Sequence, residues 1–269
     1  MADDLTDEVG ALLRRAAATA ILPVFRRLDD ASVEEKAPGE VVTVADREAE
    51  VIIGEGLLAL LPGSTVVGEE AVAEDPAVLR RLDQPGPVWV VDPVDGTANF
   101  AAGRRPFAVM VALLRDGTTE ASWILDPISG SLAVARAGEG AYLDGERVRT
   151  PEAHGPAAAL RGAVMNRFLP ADLRARVNAG IGQIGEVLPG NHCAGREYPD
   201  ILRGVQDFVL FWRTLPWDHA PGVLLLQEAG GVARRLDGTP YDPADDRNGL
   251  LVAANSEVWA AVHEALLAG

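Results

Sequence analysis

Two carboxylates at the end of an apolar run are the first place in this chain where chemistry could be concentrated. Trp89-Val90-Val91-Asp92-Pro93-Val94-Asp95-Gly96-Thr97-Ala98-Asn99-Phe100 begins as a β-type stretch and finishes in a turn bearing Asp92, Asp95, a glycine and a hydroxyl. A buried strand delivers such a turn to its C-terminal end, where sheets open onto a ligand crevice. Two carboxylates held close repel unless a cation lies between them or one keeps its proton. A hard divalent cation is therefore expected, and phosphate chemistry is the usual reason to hold one.

Other carboxylates stand at similar junctions: Asp46 after Thr43-Val44-Ala45, Glu69 in Gly68-Glu69-Glu70, and Asp218 in Trp217-Asp218-His219-Ala220-Pro221-Gly222. Singly, each has an ordinary use. Asp46 is a negative charge in a helix's first turn, Asp218 a cap ahead of a proline, and Glu69-Glu70 a solvated loop. Asp95-Gly96-Thr97 alone is a type I turn. Jointly, four strand-to-loop or loop-to-helix junctions present carboxylates, as a pair of ions roughly 3.5–4 Å apart would require. Gly96 and Thr97 add backbone N–H groups at a turn entering a short helix, a nest for an anion. A divalent ion lowers the pKa of bound water, so hydrolysis of a phosphomonoester then needs positioning and neutralisation of the leaving alkoxide. Asp-x-Asp-Gly-Thr phosphatases that attack with an aspartate are excluded, because the nucleophile's position is Pro93.

The elements that must position these groups follow from periodicity. Residues 5–28 read as an amphipathic helix bent at Pro23, and residues 29–42 as a polar loop or loose hairpin. Thr43 caps a helix from Ala45 to Leu61, and Thr65 to Val67 is a short strand. After the strand Val88 to Val91, β-type runs at 107–114, 120–125 and 131–135 alternate with turns, an antiparallel meander. Pro151 to Pro156 marks the boundary between an N-terminal α+β half, 1–150, and a C-terminal α/β half, 151–269. The second half reads as strands at 162–166, 185–188, 207–211, 232–235 and 250–254 with helices at 173–179, 195–202, 217–228 and 257–267.

Composition bounds the partners. With 269 residues, 48% hydrophobic, the chain can bury a large core. Its 24 basic and 40 acidic residues, a net charge of −16, repel polyanions, so nucleic acid is not an expected partner. The single cysteine, Cys193, forms no internal disulfide and reads as a small buried hydrophobe. There is no basic n-region at the start and no spanning apolar run, so a cytoplasmic protein without membrane contact is expected.

Asp92-Pro93-Val94-Asp95-Gly96-Thr97-Ala98-Asn99-Phe100 resembles the D-P-[LIV]-D-G-T-x-N-F signature of the inositol monophosphatase family. Trp217 to Gly222 followed by Glu228-Ala229-Gly230-Gly231 is similar to that family's W-D-x-A-x-G…E-A-G-G signature. Thr43 to Asp46 and Gly68 to Glu70 resemble its T-x-x-D and G-E-E segments, and Lys36 resembles a lysine of its first loop. The resemblance implies a layered αβαβα sugar-phosphatase fold, two to three Mg²⁺ ions with Mn²⁺ as a substitute, a small phosphorylated substrate and a homodimer. It implies a first metal on Glu69, Asp92, the Val94 carbonyl and Thr97. A second would sit on Asp92, Asp95 and Asp218, with Asp92 bridging, and a weaker third on Glu69 with waters. Thr97 and Asp46 would activate the attacking water, and Glu69 counts with them as catalytic.

Substrate contacts are implied at Asp95, Gly96, Thr97, Asp218 and the loop Cys193-Ala194-Gly195-Arg196. Arg196 suits either a phosphate or an ion pair. Where inositol-type members carry a glutamate for a substrate hydroxyl, this sequence has Phe211, which accepts no hydrogen bond. That departure opens the substrate to fructose 1,6-bisphosphate, histidinol phosphate or 3′-phosphoadenosine 5′-phosphate. A non-catalytic relative that binds a phosphorylated metabolite or a protein is the rival expectation, and a lost metal ligand would mark it.

Overall fold

The computed structural model describes residues 2–27, 33–37 and 40–267. In chain order the elements are α1 (Ala2–Ala16), β1 (Val33–Ala37), β2 (Glu40–Thr43), α2 (Val44–Leu60), β3 (Thr65–Gly68), α3 (Glu69–Glu74), β4 (Pro87–Asp95) and α4 (Thr97–Ala101). There follow β5 (Ala108–Arg115), β6 (Thr118–Leu125), β7 (Leu132–Arg136), β8 (Gly140–Leu143), β9 (Glu146–Val148), β10 (Arg161–Val164), α5 (Ala171–Gly180), β11 (Glu186–Leu188) and α6 (Ala194–Leu202). The chain closes with β12 (Phe208–Phe211), α7 (Pro216–Glu228), β13 (Val232–Arg235), β14 (Leu250–Ala253) and α8 (Ser256–Leu267).

Two sheets organise these elements. A seven-stranded sheet runs β3 to β9 in sequence order; β3 pairs parallel with β4 and the rest is an antiparallel meander. A five-stranded sheet has the order β11-β10-β12-β14-β13, parallel at its first three strands and antiparallel at the last two. Alternation along β5 shows how the first sheet is shared. Val109, Val111 and Leu113 pack with α1 and α2, while Ala108 and Met110 face α6 and α7. The same middle layer is covered from the other side by Val209, Leu250 and Val252, and α5 and α8 close the far face of the five-stranded sheet. The result is five layers, α-β-α-β-α, with both sheets buried on two faces; β4 and β5 accordingly read as continuous apolar runs.

One helix differs from expectation. The helix read over 5–28 ends as α1 at Ala16 and continues as a π-turn over Ala17–Ile21, where the Leu22 N–H reaches back to the Ala17 carbonyl at 2.8 Å. Pro23 has no N–H and its ring crowds the carbonyl four residues earlier, so the irregularity falls ahead of it. Leu28 and residues 29–32 and 38–39 lie outside the described residues, as does the Lys36 side chain. The remainder of 29–42 forms the β1–β2 hairpin. The Pro/Asp-rich segment before β4 is a 3-10 helix at Pro76–Asp83. Among the described residues, no helix is long and apolar enough to cross a membrane.

Candidate active site

The end of β4 departs from strand regularity. Asp92 pairs with Met110 and Asp95 with Ala108, three steps on one strand against two on its neighbour. Side chains three apart on a regular strand point to opposite faces. The extra residue of a bulge restores the parity and aims both carboxylates to one side. The Val94 N–H donates to Asp92 Oδ1 at 3.0 Å and holds that turn. Gly96 then takes a left-handed conformation, φ 85°, where a Cβ would meet Cys193 Cβ and the Pro106 carbonyl at 3.1 Å. Only glycine suits this corner.

Thr97 opens α4, and its hydroxyl lies 2.9 Å from the Val94 carbonyl and 3.1 Å from Asp46 Oδ1. One O–H serves one acceptor at a time, so its proton chooses between them. Asp46 arrives on the first turn of α2 through a reciprocal cap. The Thr43 N–H and O–H donate to Asp46 Oδ2 at 2.8 and 2.6 Å, and the Ala45 N–H donates to Thr43 Oγ1 at 3.2 Å. Burial pushes the Asp46 carboxyl up to about 7 despite these bonds, with the Glu69 and Glu70 charges adding to the rise.

Asp218 comes from the first turn of α7. It brings a carboxylate oxygen into a group with Asp92 and Asp95 whose atoms all lie within 4.8 Å of one another. Burial, and the neighbouring acidic charges, lift Asp92 and Asp218 well above the ordinary carboxylate range and Asp95 to about 6. Half-buried Glu69, first in α3 after β3, stands outside that close triad, yet its charge acts on all three of its members and on Asp46. Such a cluster is electrostatically unfavourable on its own, and protons or a cation relieve it. Its donors are oxygens throughout, the set that hard divalent ions prefer, so the residues fit such an ion.

The start of α6 faces the same corner. The Gly195 N–H donates to Asp95 Oδ2 at 2.6 Å and the Cys193 thiol to the Asp95 carbonyl at 3.7 Å. Asp95 thus caps α6 as well as joining the triad. Cys193 and Ala194 are buried, and burial pushes the thiol well up. Of the two uses open to Arg196, the structure contains the ion pair, Nε to Asp200 Oδ1 at 2.7 Å.

Phe211 ends β12 and packs against His219, the residue after Asp218. Its ring stacks on Tyr198 at 5.7 Å and meets His219 edge-on at 4.7 Å. The His219 Nε2 donates to the Arg213 carbonyl and its Nδ1 accepts from the Tyr198 hydroxyl, both at 2.9 Å. Burial lowers the pKa of this ring to about 3, which keeps it neutral and leaves Nδ1 as the acceptor. These bonds fix residues 211–213 against the α7 turn that bears Asp218. The Arg213 guanidinium lies over Phe168 at 5.2 Å and lowers the Asp218 carboxyl, partly opposing the rise.

The model of the inositol monophosphatase family matches residues 4–268. The chain belongs to the inositol monophosphatase family. Members of this family are metal-dependent phosphoric monoester hydrolases, and the acidic cluster described above lies where the signatures of the family converge. Among its relatives, a protein named Nus factor SuhB from Pseudomonas aeruginosa is 31% identical over 257 residues, covering 92% of this chain and 90% of that one. An inositol-1-monophosphatase from Rhizobium meliloti is 30% identical over 250 residues, covering 90% and 88%. In fold, the extragenic suppressor protein SuhB from Bartonella henselae superimposes with TM-score 0.83 at 24% identity, over 99% of each chain. The five-layer arrangement is thus that of inositol monophosphatases.

Three residues that hold this site together were given no role by sequence reasoning: Asn99, inside the first signature, and Glu197 and Glu50, outside any. Asn99 Nδ2 donates to the Pro106 and Asn191 carbonyls, both at 2.9 Å, and links the turn after β4 to the α6 loop. Glu197, fully buried, accepts from Asn191 and Gln206 and fastens that loop. Glu50 accepts from the Glu70 and Ala71 N–H groups at 2.8 and 2.9 Å. The available signal for Glu50 was its place four residues after Asp46, hence on the same face of α2.

Proposed function

We propose that this protein is a Mg²⁺-dependent phosphomonoesterase acting on a small phosphorylated metabolite. The observation that carries the reading is the convergence of Asp46, Glu69, the pair Asp92 and Asp95, and Asp218, from four elements, with the Thr97 hydroxyl held by Asp46. Glu69, Asp92, the Val94 carbonyl and Thr97 would hold one ion, and Asp92, Asp95 and Asp218 a second with Asp92 bridging; Glu69 with waters would serve a weaker third. When bound, the ions supply Lewis acidity to the phosphoryl and leaving oxygens and acidify water. Thr97 orients the attacking water through its hydroxyl oxygen. As the water gives a proton to Thr97 Oγ1, the Thr97 proton passes to Asp46, a carboxyl that burial lifts to about 7 and so able to accept a proton near neutrality. The Gly96–Thr97 turn and the Ala194–Gly195 backbone bracket the phosphate, and residues 211–213 face the leaving group.

Phe211 supports a substrate without a hydroxyl at that position, and Arg213 supports one with a ring or a second anionic group there. The halves 1–150 and 151–269 belong to the same reading. The seven-stranded sheet ends at Val148 and the five-stranded one begins at Arg161, so the second half brings Asp218 and the α6 loop to ligands carried by the first. A cytoplasmic homodimer completes it, and light scattering on the purified protein tests the dimer.

The test is a panel of inositol 1-phosphate, fructose 1,6-bisphosphate, histidinol phosphate and 3′-phosphoadenosine 5′-phosphate, assayed for phosphate release with Mg²⁺ or Mn²⁺ and with excess chelator. Release is expected only with the ion and is expected to vanish in Asp92→Asn with the fold intact. Undiminished turnover in chelator would sink the metal mechanism. The Nus factor name of one relative favours a second, non-catalytic reading; a silent panel with every metal ligand in place would support it.

A further inference from the structure

α2 carries two inward carboxylates one turn apart, and only the first lies in a family signature. Asp46 reaches Thr97 at the head of α4, as described. Glu50 reaches the head of α3, where its Oε2 accepts the Glu70 N–H at 2.8 Å and its Oε1 the Ala71 N–H at 2.9 Å. The first N–H groups of any helix lack intrahelical partners, and a cap normally comes from the residue just before them. That residue here is Gly68, which has no side chain to offer. A Cβ on Gly68 would stand 2.3 Å from Glu50 Cδ. Glycine therefore leaves the space into which a carboxylate from another helix inserts, and the cap of α3 is supplied from α2.

This arrangement is electrostatically costly in isolation, because Glu50 is mostly buried and stands near the charges of Glu69 and Glu70. A single short helix on the surface could be capped more cheaply by a serine or aspartate at position 68. What the remote cap adds is a rigid tie between α2 and the backbone on either side of Glu69. Asp46 and Glu50, one turn apart on the same face of α2, thus hold Thr97 and the backbone just after Glu69.

We propose that Glu50 is a positioning residue that holds the Gly68-Glu69-Glu70 turn so that Glu69 meets the metal; this rests on the reading of Glu69 as a ligand. Glu50→Gln keeps the shape but turns an NH₂ group toward one of the two N–H donors, so one bond is lost and a donor–donor clash takes its place. Amide exchange at Glu70 and Ala71 in the metal-free protein is expected to accelerate about tenfold or more, with Val90 and Val111 unchanged. In calorimetric titration with Mg²⁺, the dissociation constant is expected to rise about tenfold, and the metal concentration for half-maximal activity to rise in step, while kcat at saturating metal changes far less. Glu50→Asp, one methylene too short to reach both donors, should behave alike.

Unchanged exchange at Glu70 and Ala71 in both variants would overturn the cap. Faster exchange with unchanged metal affinity would overturn the positioning role. Glu69→Gln separates the two levels. If it weakens Mg²⁺ binding and the Glu50 variants do not, the inference about Glu50 fails alone; if it leaves binding unchanged, the ligand reading fails instead.

Discussion

Replacing Asp46 by asparagine should make the metal-free protein more stable and the enzyme far less active. Asp46 is fully buried, and burial moves its carboxyl from 3.8 to about 7. Below about pH 4 the group is neutral in folded and unfolded chains alike and costs nothing. As pH rises toward 7 the unfolded chain ionises freely and the folded one does not, so stability falls, and the full cost is present above pH 7. A carboxyl held about three pH units above its ordinary value weakens the fold by ~4 kcal/mol. Asparagine removes that cost without losing a bond. Its Oδ1 can take the Thr43 N–H and O–H, at 2.8 and 2.6 Å, and its Nδ2 can donate to Thr97 Oγ1 at 3.1 Å. The Thr97 proton then goes to the Val94 carbonyl at 2.9 Å. At 2–4 °C per kcal/mol for chains approaching this size, the variant's Tm should rise by about 10 °C at pH 8. Urea unfolding in chelator at pH 4.5, 6, 7 and 8 reads the gap between variant and parent, which should widen with pH and level off above 7. In the Mg²⁺ assay, no carboxylate remains to take up the Thr97 proton and turnover should drop on the order of a hundredfold or more. A gap of the same size at every pH, or a variant less stable than the parent at pH 8, would refute the reasoning.

Three further outcomes are expected. Phe211→Ala empties the centre of the Tyr198–His219 stack, where Phe211 is 6% exposed, and should cost ~3–5 kcal/mol in urea unfolding; a loss below 1 kcal/mol would contradict its place in the core. Gly222→Ala sets a Cβ 2.1 Å from the Tyr198 ring, which cannot retreat while its hydroxyl bonds His219. It should destabilise by ~1–3 kcal/mol, and the same titration checks it. Cys193, buried with its thiol pushed well up, should react with a disulfide reagent on the order of a hundredfold more slowly in the native protein than in denaturant; equal rates would place the thiol in solvent.

Much of the fold was legible because the signals are local. β5 and β6 occupy the apolar runs read at 107–114 and 120–125 to within two residues, since β-type character and turn glycines act over a few positions. The α7 and α8 boundaries agree for the same reason. The N-terminal helix was overrun because its apolar period continues past Ala16, while Pro23 disturbs the hydrogen bonding several residues upstream. Arg196 had two open uses, and Asp200, one turn along α6, decided between them only once the helix was built.

The sequence by itself determined the reaction class expected here, because Asp92 to Phe100 and Trp217 to Gly222 hold side-chain types at spacings that turn and helix geometry preserve. The same signatures carried the family resemblance and the layering it implies, while apolar periods of two and of 3.6 placed most strands and helices. Only the tertiary structure decided that Asp92 and Asp95 share a face, since a bulge opposite Met110 and Ala108 reverses the strand's parity. It alone joined Asp46 to Thr97 across 51 positions and seated Glu50 in the space left by Gly68. A carboxylate's proton affinity and partner depend on what folding packs around it, and that environment is assembled from segments that carry no local trace of one another.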